Sequence, residues 1–247
     1  MTPLLHVLRD PPLDGPTNMA RDEHLLYSES HRPAALRLYA WDPPTLSLGY
    51  FQRYAQIAEL PAEVMRLAVV RRSTGGGAIL HDREVTYSLV LDDSIPVALQ
   101  PPVALYRLAH ECWRAALTQC GQPVDVAPDH LPLPTARGGP FFCFAKPGRS
   151  DLIFAGDKLL GSAQRRIHGR VLQHGSLLLG RRFAAHPGAD LHDPPPATVA
   201  RWVAAFIDAL SAALELPYAA HAWTGPELAN VQHRRARYVD PAWTRRL

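Results

Sequence analysis

Three apolar runs in close succession set the tightest limit on what this chain can fold into. Asp151–Phe154, Lys158–Ile167 and Val171–Leu179 read as strands, with only Ala155-Gly156-Asp157 and His168-Gly169-Arg170 between them. Turns this short join neighbouring antiparallel strands, so the segment reads as a meander. Upstream, Leu36–Trp41, Thr45–Phe51, Leu67–Ser73, Ala78–His81 and Val85–Leu91 carry alternation or β-branched and aromatic residues, punctuated by Pro or Gly. Helices are expected over Asn18–Glu29, with Asn18 as the cap, and from Pro101-Pro102 to Cys120, with Gly121 as the stop. A third is expected over Thr198–Leu216, where Val199, Trp202, Val203, Phe206, Leu210 and Leu214 form one apolar stripe. Strands and helices segregate more than they alternate. The expected class is therefore α+β, mainly antiparallel sheets with flanking helices. We read residues 1–247 as a single domain with a short C-terminal tail from about residue 217.

Composition narrows the function classes. A hydrophobic content of 47% is ample for a core, and 24 prolines with 16 glycines but no low-complexity tract imply many ordered loops. A formal net charge of +3 is too small to argue for nucleic acid. Arg234, Arg235, Arg237, Arg245 and Arg246 cluster near the C-terminus, either as a solvated tail or as a face for an acidic protein. The N-terminus lacks an apolar core of signal-peptide length, and no run of about 18 apolar residues is seen, so the expectation is a cytoplasmic protein without a membrane partner. Cys112, Cys120 and Cys143 include no C-x-x-C, and His110-Glu111 lacks a second histidine, so neither a metal nor another cofactor is expected. Cys112 falls on the apolar face of its helix as a small core residue, and Cys120 ends that helix.

The chemistry concentrates in two segments. Cys143 lies in the Pro- and Gly-rich stretch 122–150, beside aromatic residues, and Lys158 follows in DKLLGSAQRR (157–166). A thiol attacks as its thiolate, and a nearby ammonium favours that form. A catalytic pair of Cys143 and Lys158 stands against a buried cysteine and a turn lysine. In the other segment, Arg71-Arg72 precede Ser73-Thr74 and Gly75, Gly76 and Gly77, with His81-Asp82 beyond. Consecutive glycines allow backbone N–H groups to approach a ligand, although a β-bulge would also account for them. No Gly-Lys-Ser/Thr follows, so the block is not a nucleotide P-loop. Arg72, the three glycines, His81, Gly161, Ser162, Ala163, His174 and Gly175 are the candidate substrate-binding residues. His81 and His174 suit a structural or pocket-shaping role, satisfying buried backbone carbonyls. Gly161, Ser162 and Ala163 are small where an acyl chain or carrier arm would pass, or where strands cross tightly.

RRSTGGGAILHD (71–82), KLLGSAQRR (158–166) and LQHGSLLL (172–179) resemble signature blocks of the lipoate–protein ligase and octanoyltransferase family, which shares the catalytic fold of biotin ligases. NMARDEHLL (18–26), PTLSLGYFQ (44–52) and RYVDPAWT (237–244) resemble further blocks, in order along nearly the whole chain. The resemblance implies a biotin/lipoate ligase-like catalytic domain. His81-Asp82-Arg83-Glu84 and Cys143-Phe144 are closer to the cysteine-dependent octanoyltransferases than to the ATP-using ligases, which typically continue H-D-x-G-N. In that branch the cysteine carries the acyl thioester and the lysine favours its thiolate, roles that fall here on Cys143 and Lys158. The implied donor is an octanoyl-acyl carrier protein, and the implied acceptor a lysine of a lipoyl domain, in a 2-oxoacid dehydrogenase or the glycine cleavage H protein. Gly75-Gly76-Gly77 and Gly148-Arg149-Ser150-Asp151 are the more ligase-like forms. Two alternatives stay open. One is an ATP-dependent lipoate–protein ligase whose accessory part sits on another chain; the other is a non-catalytic lipoyl-domain or carrier binder.

Overall fold

The meander is present, and it is the middle of a larger sheet. In the computed structural model, which describes residues 3–28, 32–132 and 139–247, the elements follow one another as β1 (Leu5–Arg9), α1 (Gly15–Tyr27), β2 (Ala34–Tyr39), β3 (Thr45–Leu48), α2 (Ala62–Met65), β4 (Ala68–Arg71), β5 (Ile79–His81) and β6 (Glu84–Asp92). They continue with α3 (Pro102–Gln119), β7 (Asp125–Val126), β8 (Leu152–Phe154), β9 (Asp157–Ile167), β10 (Arg170–Leu178), α4 (Pro196–Leu214), β11 (Tyr218–Ala220), α5 (Gly225–Val239) and α6 (Pro241–Thr244). Eight strands form the main sheet in the order β11-β1-β2-β6-β10-β9-β8-β7, and three form a second in the order β4-β3-β5. Pairing is antiparallel from β2 to β7, and parallel for β11-β1, β1-β2 and β3-β4. The class is α+β and mainly antiparallel, as expected.

Alternation along the central strands sends side chains to two different cores. Leu36, Leu38, Tyr87, Leu89 and Leu91 face α3 and α4, where the Trp113 and Phe206 rings stack at 4.0 Å. Ala35 and Val90 face the other side, with Leu25 and Leu26 of α1. Of the expected stripe, Trp202, Val203, Phe206, Leu210 and Leu214 form the buried face of α4, with Ile207 added and Val199 only partly buried. By length and composition alone α4 is apolar enough to cross a membrane, with a mean hydropathy of 1.4. Here its stripe packs against α3 in the core.

Two helix ends differ from expectation. Asp14, not Asn18, caps α1, its carboxylate accepting from Thr17 N at 2.8 Å. Asn18 lies inside the helix, where its amide donates to Leu13 O and Ala40 O and its Oδ1 accepts from Arg37. The helix is described to Tyr27; Glu29, the expected end, lies outside the described residues.

The stretch after residue 217 is built into the fold. β11 adds to the edge of β1, and α5, opened by a Thr224/Glu227 capping box, packs along α1. Arg71 Nε and Nη2 donate to Thr244 O at 3.0 and 2.8 Å, and its Nη1 donates to the carbonyls of Gly49, Tyr50 and Gln52. The C-terminal arginines are not a solvated run. Arg235 pairs with Asp14 and Arg237 with Glu23, while Arg234, Arg245 and Arg246 lie over aromatic rings.

Candidate active site

Cys143 opens a short 3-10 turn (Cys143–Ala145) that is hung on the glycine block by its backbone. Ala78 N donates to Phe141 O at 2.6 Å, and Cys143 N donates to Ala78 O at 2.9 Å. Gly77 makes this approach possible: a Cβ there would lie 2.8 Å from Cys143 N and 2.9 Å from Phe141 O. Lys158 enters from β9 and donates to Cys143 Sγ at 3.5 Å. Its path runs over Gly161, where any Cβ would overlap Lys158 Cε and Nζ. The fold thus brings Cys143 and Lys158, the two principal residues named from the sequence, into contact.

The same ammonium lies 2.7 Å from Asp151 Oδ2, with both side chains 2% exposed. Asp151 Oδ2 also accepts from Gly148 N at 2.7 Å. Burial by itself pulls the Lys158 pKa down; the Asp151 carboxylate and then Cys143 more than reverse this, leaving it above its ordinary value. Lys158 therefore stays an ammonium at neutral pH. It can favour a sulfur anion and cannot act as a base. Tyr106, on α3, belongs to the same cluster; burial, then Cys143 and Asp151, push its phenol up to about 12.

Beside the thiol is a cavity of about 370 Å³, counting the space open to solvent. Met19, Tyr39, Trp41 and Ile79 give it apolar walls, and Gly161, Ser162, Ala163 and Gly175 form a strand wall of small residues. Arg72 forms the polar side. It is 2% exposed and donates to Thr74 Oγ1, Ser47 O and Oγ, Gly75 O and Gly77 O, with no carboxylate among them. Two relays lead away from it. Ser47 Oγ meets His81 Nε2 at 2.8 Å, and His81 Nδ1 meets Glu84 Oε1 at 2.7 Å. Thr74 Oγ1 meets His174 Nε2 at 2.6 Å, and His174 Nδ1 meets Asp22 Oδ2 at 3.1 Å. In the neutral tautomer with Nδ1–H donating to the carboxylate, each Nε2 accepts from a hydroxyl. Burial first, then Cys143 acting in opposition, bring Arg72 to about 10, and it remains charged at neutral pH.

The structure thus gathers Cys143, Arg72, His81, Gly161, Ser162, Ala163, His174 and Gly175 around one cavity, with Lys158 against the thiol. Gly75, Gly76 and Gly77 stand behind this lining. The carbonyls of Gly75 and Gly77 accept from Arg72, so the block positions the polar wall and, through Gly77, the cysteine turn. His81 and His174 shape the pocket through side-chain partners, not through the backbone carbonyls expected of them. Ser162 Oγ turns to the α3 side, meeting Tyr87 OH at 2.7 Å and His110 Nε2 at 2.6 Å. The sequence reading missed the roles of Asp151, Tyr106, Asp22 and Glu84. Asp151 and Glu84 had a signal, the ligase-like Gly148-Arg149-Ser150-Asp151 and the motif His81-Asp82-Arg83-Glu84; Asp22 and Tyr106 are brought in from distant segments.

The site is thus a thiol and a buried ammonium at the edge of an apolar cavity in a mainly antiparallel α+β domain. Residues 14–189 match the lipoyl protein ligase A/B catalytic domain, and the chain belongs to that family. It is 42% identical to the octanoyltransferase LipM of Kyrpidia tusciae over 171 residues, 66% of this chain and 61% of that protein. It is also 42% identical to the LipM of Moorella thermoacetica, covering 66% of this chain and 60% of that one. The match thus spans about 60% of the length of these relatives. Among solved structures, a lipoate–protein ligase A bound with ATP superposes with a TM-score of 0.78 at 20% identity, covering 99% of each chain. That likeness is one of fold.

Proposed function

We propose that this chain is an octanoyl-type acyltransferase that carries the acyl group on Cys143 and delivers it to a lysine of a lipoyl domain. The observation that supports this best is the Lys158 ammonium, buried on Asp151 and donating to Cys143 Sγ at 3.5 Å, at the edge of an apolar cavity. In the first step the Cys143 thiolate attacks the carbonyl carbon of a thioester on an acyl carrier protein. The C–S bond to the carrier breaks, and the carrier leaves as a thiolate that takes a proton from solvent. In the second step the neutral amine of the acceptor lysine attacks the acyl-Cys143 carbonyl. An amide forms, Cys143 departs as a thiolate that meets Lys158 again, and the amine proton passes to solvent. Thioester-to-amide transfer runs downhill and calls for no ATP or further cofactor. The acceptors would be lipoyl domains of 2-oxoacid dehydrogenases or the glycine cleavage H protein, and the reaction would be cytoplasmic.

The test is incubation of the purified protein with octanoyl carrier protein, without ATP, followed by intact-mass analysis. The expected result is one octanoyl adduct, abolished in Cys143→Ala and retained in Cys112→Ala, and then transfer to an apo lipoyl domain. Product formed only from free acid, ATP and Mg²⁺ would replace this reading with that of a ligase.

A further inference from the structure

Beyond the cavity, a group of arginines gathers around Tyr50 without forming an ion pair among the described residues. Arg165 lies two residues along β9 from Ala163, which lines the cavity, and its Nη1 donates to Ser73 O at 2.9 Å, just before the glycine block. Its guanidinium also lies 5.7 Å from the Tyr50 ring centroid. Arg246 covers the same ring at 3.6 Å and Trp243 at 4.5 Å, and its Nη2 donates to Tyr50 O at 3.0 Å. Tyr50 N donates to Thr74 O at 2.8 Å, tying this corner to the loop behind Cys143. Arg71 lies beneath, spending its donors on carbonyls. Arg245 extends the corner over Tyr54 at 5.2 Å.

Among the described residues, Arg71, Arg165, Arg245 and Arg246 form no ion pair, whereas neighbouring Arg235 and Arg237 each hold a carboxylate. Arg165 Nε and Arg246 Nε are buried without a hydrogen-bond partner. The Tyr50 phenol is lowered, first by its hydrogen bond from Arg246 and further by the charges of Arg246 and Arg165. Four guanidinium groups held in place by aromatic rings and carbonyls, none in an ion pair among the described residues, make a local positive field beside an otherwise nearly balanced molecule.

We infer that this corner is the docking face for an acidic protein surface, that of the carrier presenting the acyl thioester. The inference rests on the acyl-transfer reading and names the surface that reading requires. A carrier must approach the cavity mouth closely enough to present its thioester to Cys143, and a fixed cationic rim steers and orients a partner of opposite charge. Stacking on Tyr50, Tyr54 and Trp243 holds these guanidiniums without neutralising them.

The experiment follows acyl-Cys143 formation by intact mass from two donors, octanoyl carrier protein and octanoyl-N-acetylcysteamine, a small neutral thioester. It compares wild type, Arg245→Glu and Arg245→Glu/Arg246→Glu across a salt series. With the protein donor at low salt the double variant should acylate on the order of ten-fold more slowly, and most of the wild-type salt dependence should vanish. With the small thioester the variants should match wild type, which also reports that they fold. Should the double variant misfold, exposed Arg245→Glu alone should still reduce the salt dependence. An unchanged rate and salt slope with the protein donor would overturn the docking face. So would normal acylation combined with slowed delivery to the lipoyl domain, which would give the face to the acceptor. Failure of wild type to acylate from either thioester would instead remove the transfer reading itself.

Discussion

A methyl group at position 161 would occupy the space through which Lys158 reaches the thiol. Gly161→Ala should therefore displace the ammonium, leave the fold largely intact and lower transfer on the order of 100-fold, measurable as the rate of acyl-Cys143 formation. The Lys158–Asp151 pair gives a second prediction with a definite sign. Lys158→Ala removes the charge that favours a sulfur anion, so iodoacetamide should modify Cys143 slowly at neutral pH, with part of the rate restored at higher pH. In Asp151→Asn the influence left dominant on Lys158 is burial, which lowers its pKa. The ammonium is then lost at lower pH than in wild type, and acylation should fall off on the alkaline side earlier. Identical pH profiles for wild type and Asp151→Asn would show that Asp151 does not hold the lysine charged. Cys143 and Lys158 were legible in the sequence from their residue types, spacing and motif resemblance. Asp151 was visible only as part of a motif, because its role depends on β8 lying beside β9.

At the scale of elements, α3 and α4 close one face of the main sheet through the Trp113–Phe206 stack. Phe206 is fully buried, so Phe206→Ala should cost about 3–5 kcal/mol, read as a lower urea midpoint at unchanged slope. A change below 1 kcal/mol would mean that the helix pair relaxes into the gap. The long amphipathic helices and the meander were readable because each is specified by local periodicity and turn residues. β1, β11 and α5 were not. β1 is five residues and β11 three, too short for periodicity to stand out, and both take their strand character from parallel partners distant in sequence. The all-buried pattern of β2 has a similar origin. Helices cover both of its faces, and Arg37 inside it is tolerated because Asp10 and Asp22 meet its guanidinium.

For the whole molecule, buried histidines set the response to acid. Burial, against the opposing pull of Glu84, brings His186 from 6.5 to about 4. His6, His24, His81 and His110 are lowered as well, each chiefly by burial. Between pH 6.5 and about 4 the unfolded chain binds a proton at His186 that the folded chain refuses, so stability falls as pH falls through that window. That one site contributes a loss of roughly 3 kcal/mol once the window is crossed. The melting temperature should drop between pH 7 and 4.5, and His186→Leu should flatten part of the slope; a melting temperature that holds or rises would contradict the assignment. The fold class, the helices and strands with strong local signals, and the thiol, the lysine and the cavity-lining arginine and histidines were all readable along the chain. These follow from periodicity, turn chemistry and residue type, which act over a few positions. That Asp151 meets the Lys158 ammonium, that Arg72 stands between two hydroxyl–imidazole–carboxylate relays, and that the C-terminal arginines split into paired and unpaired sets is visible only in three dimensions. Each of those depends on which distant side chains share one desolvated space, and hydrogen bonding and charge are decided there by distance in three dimensions, not along the chain.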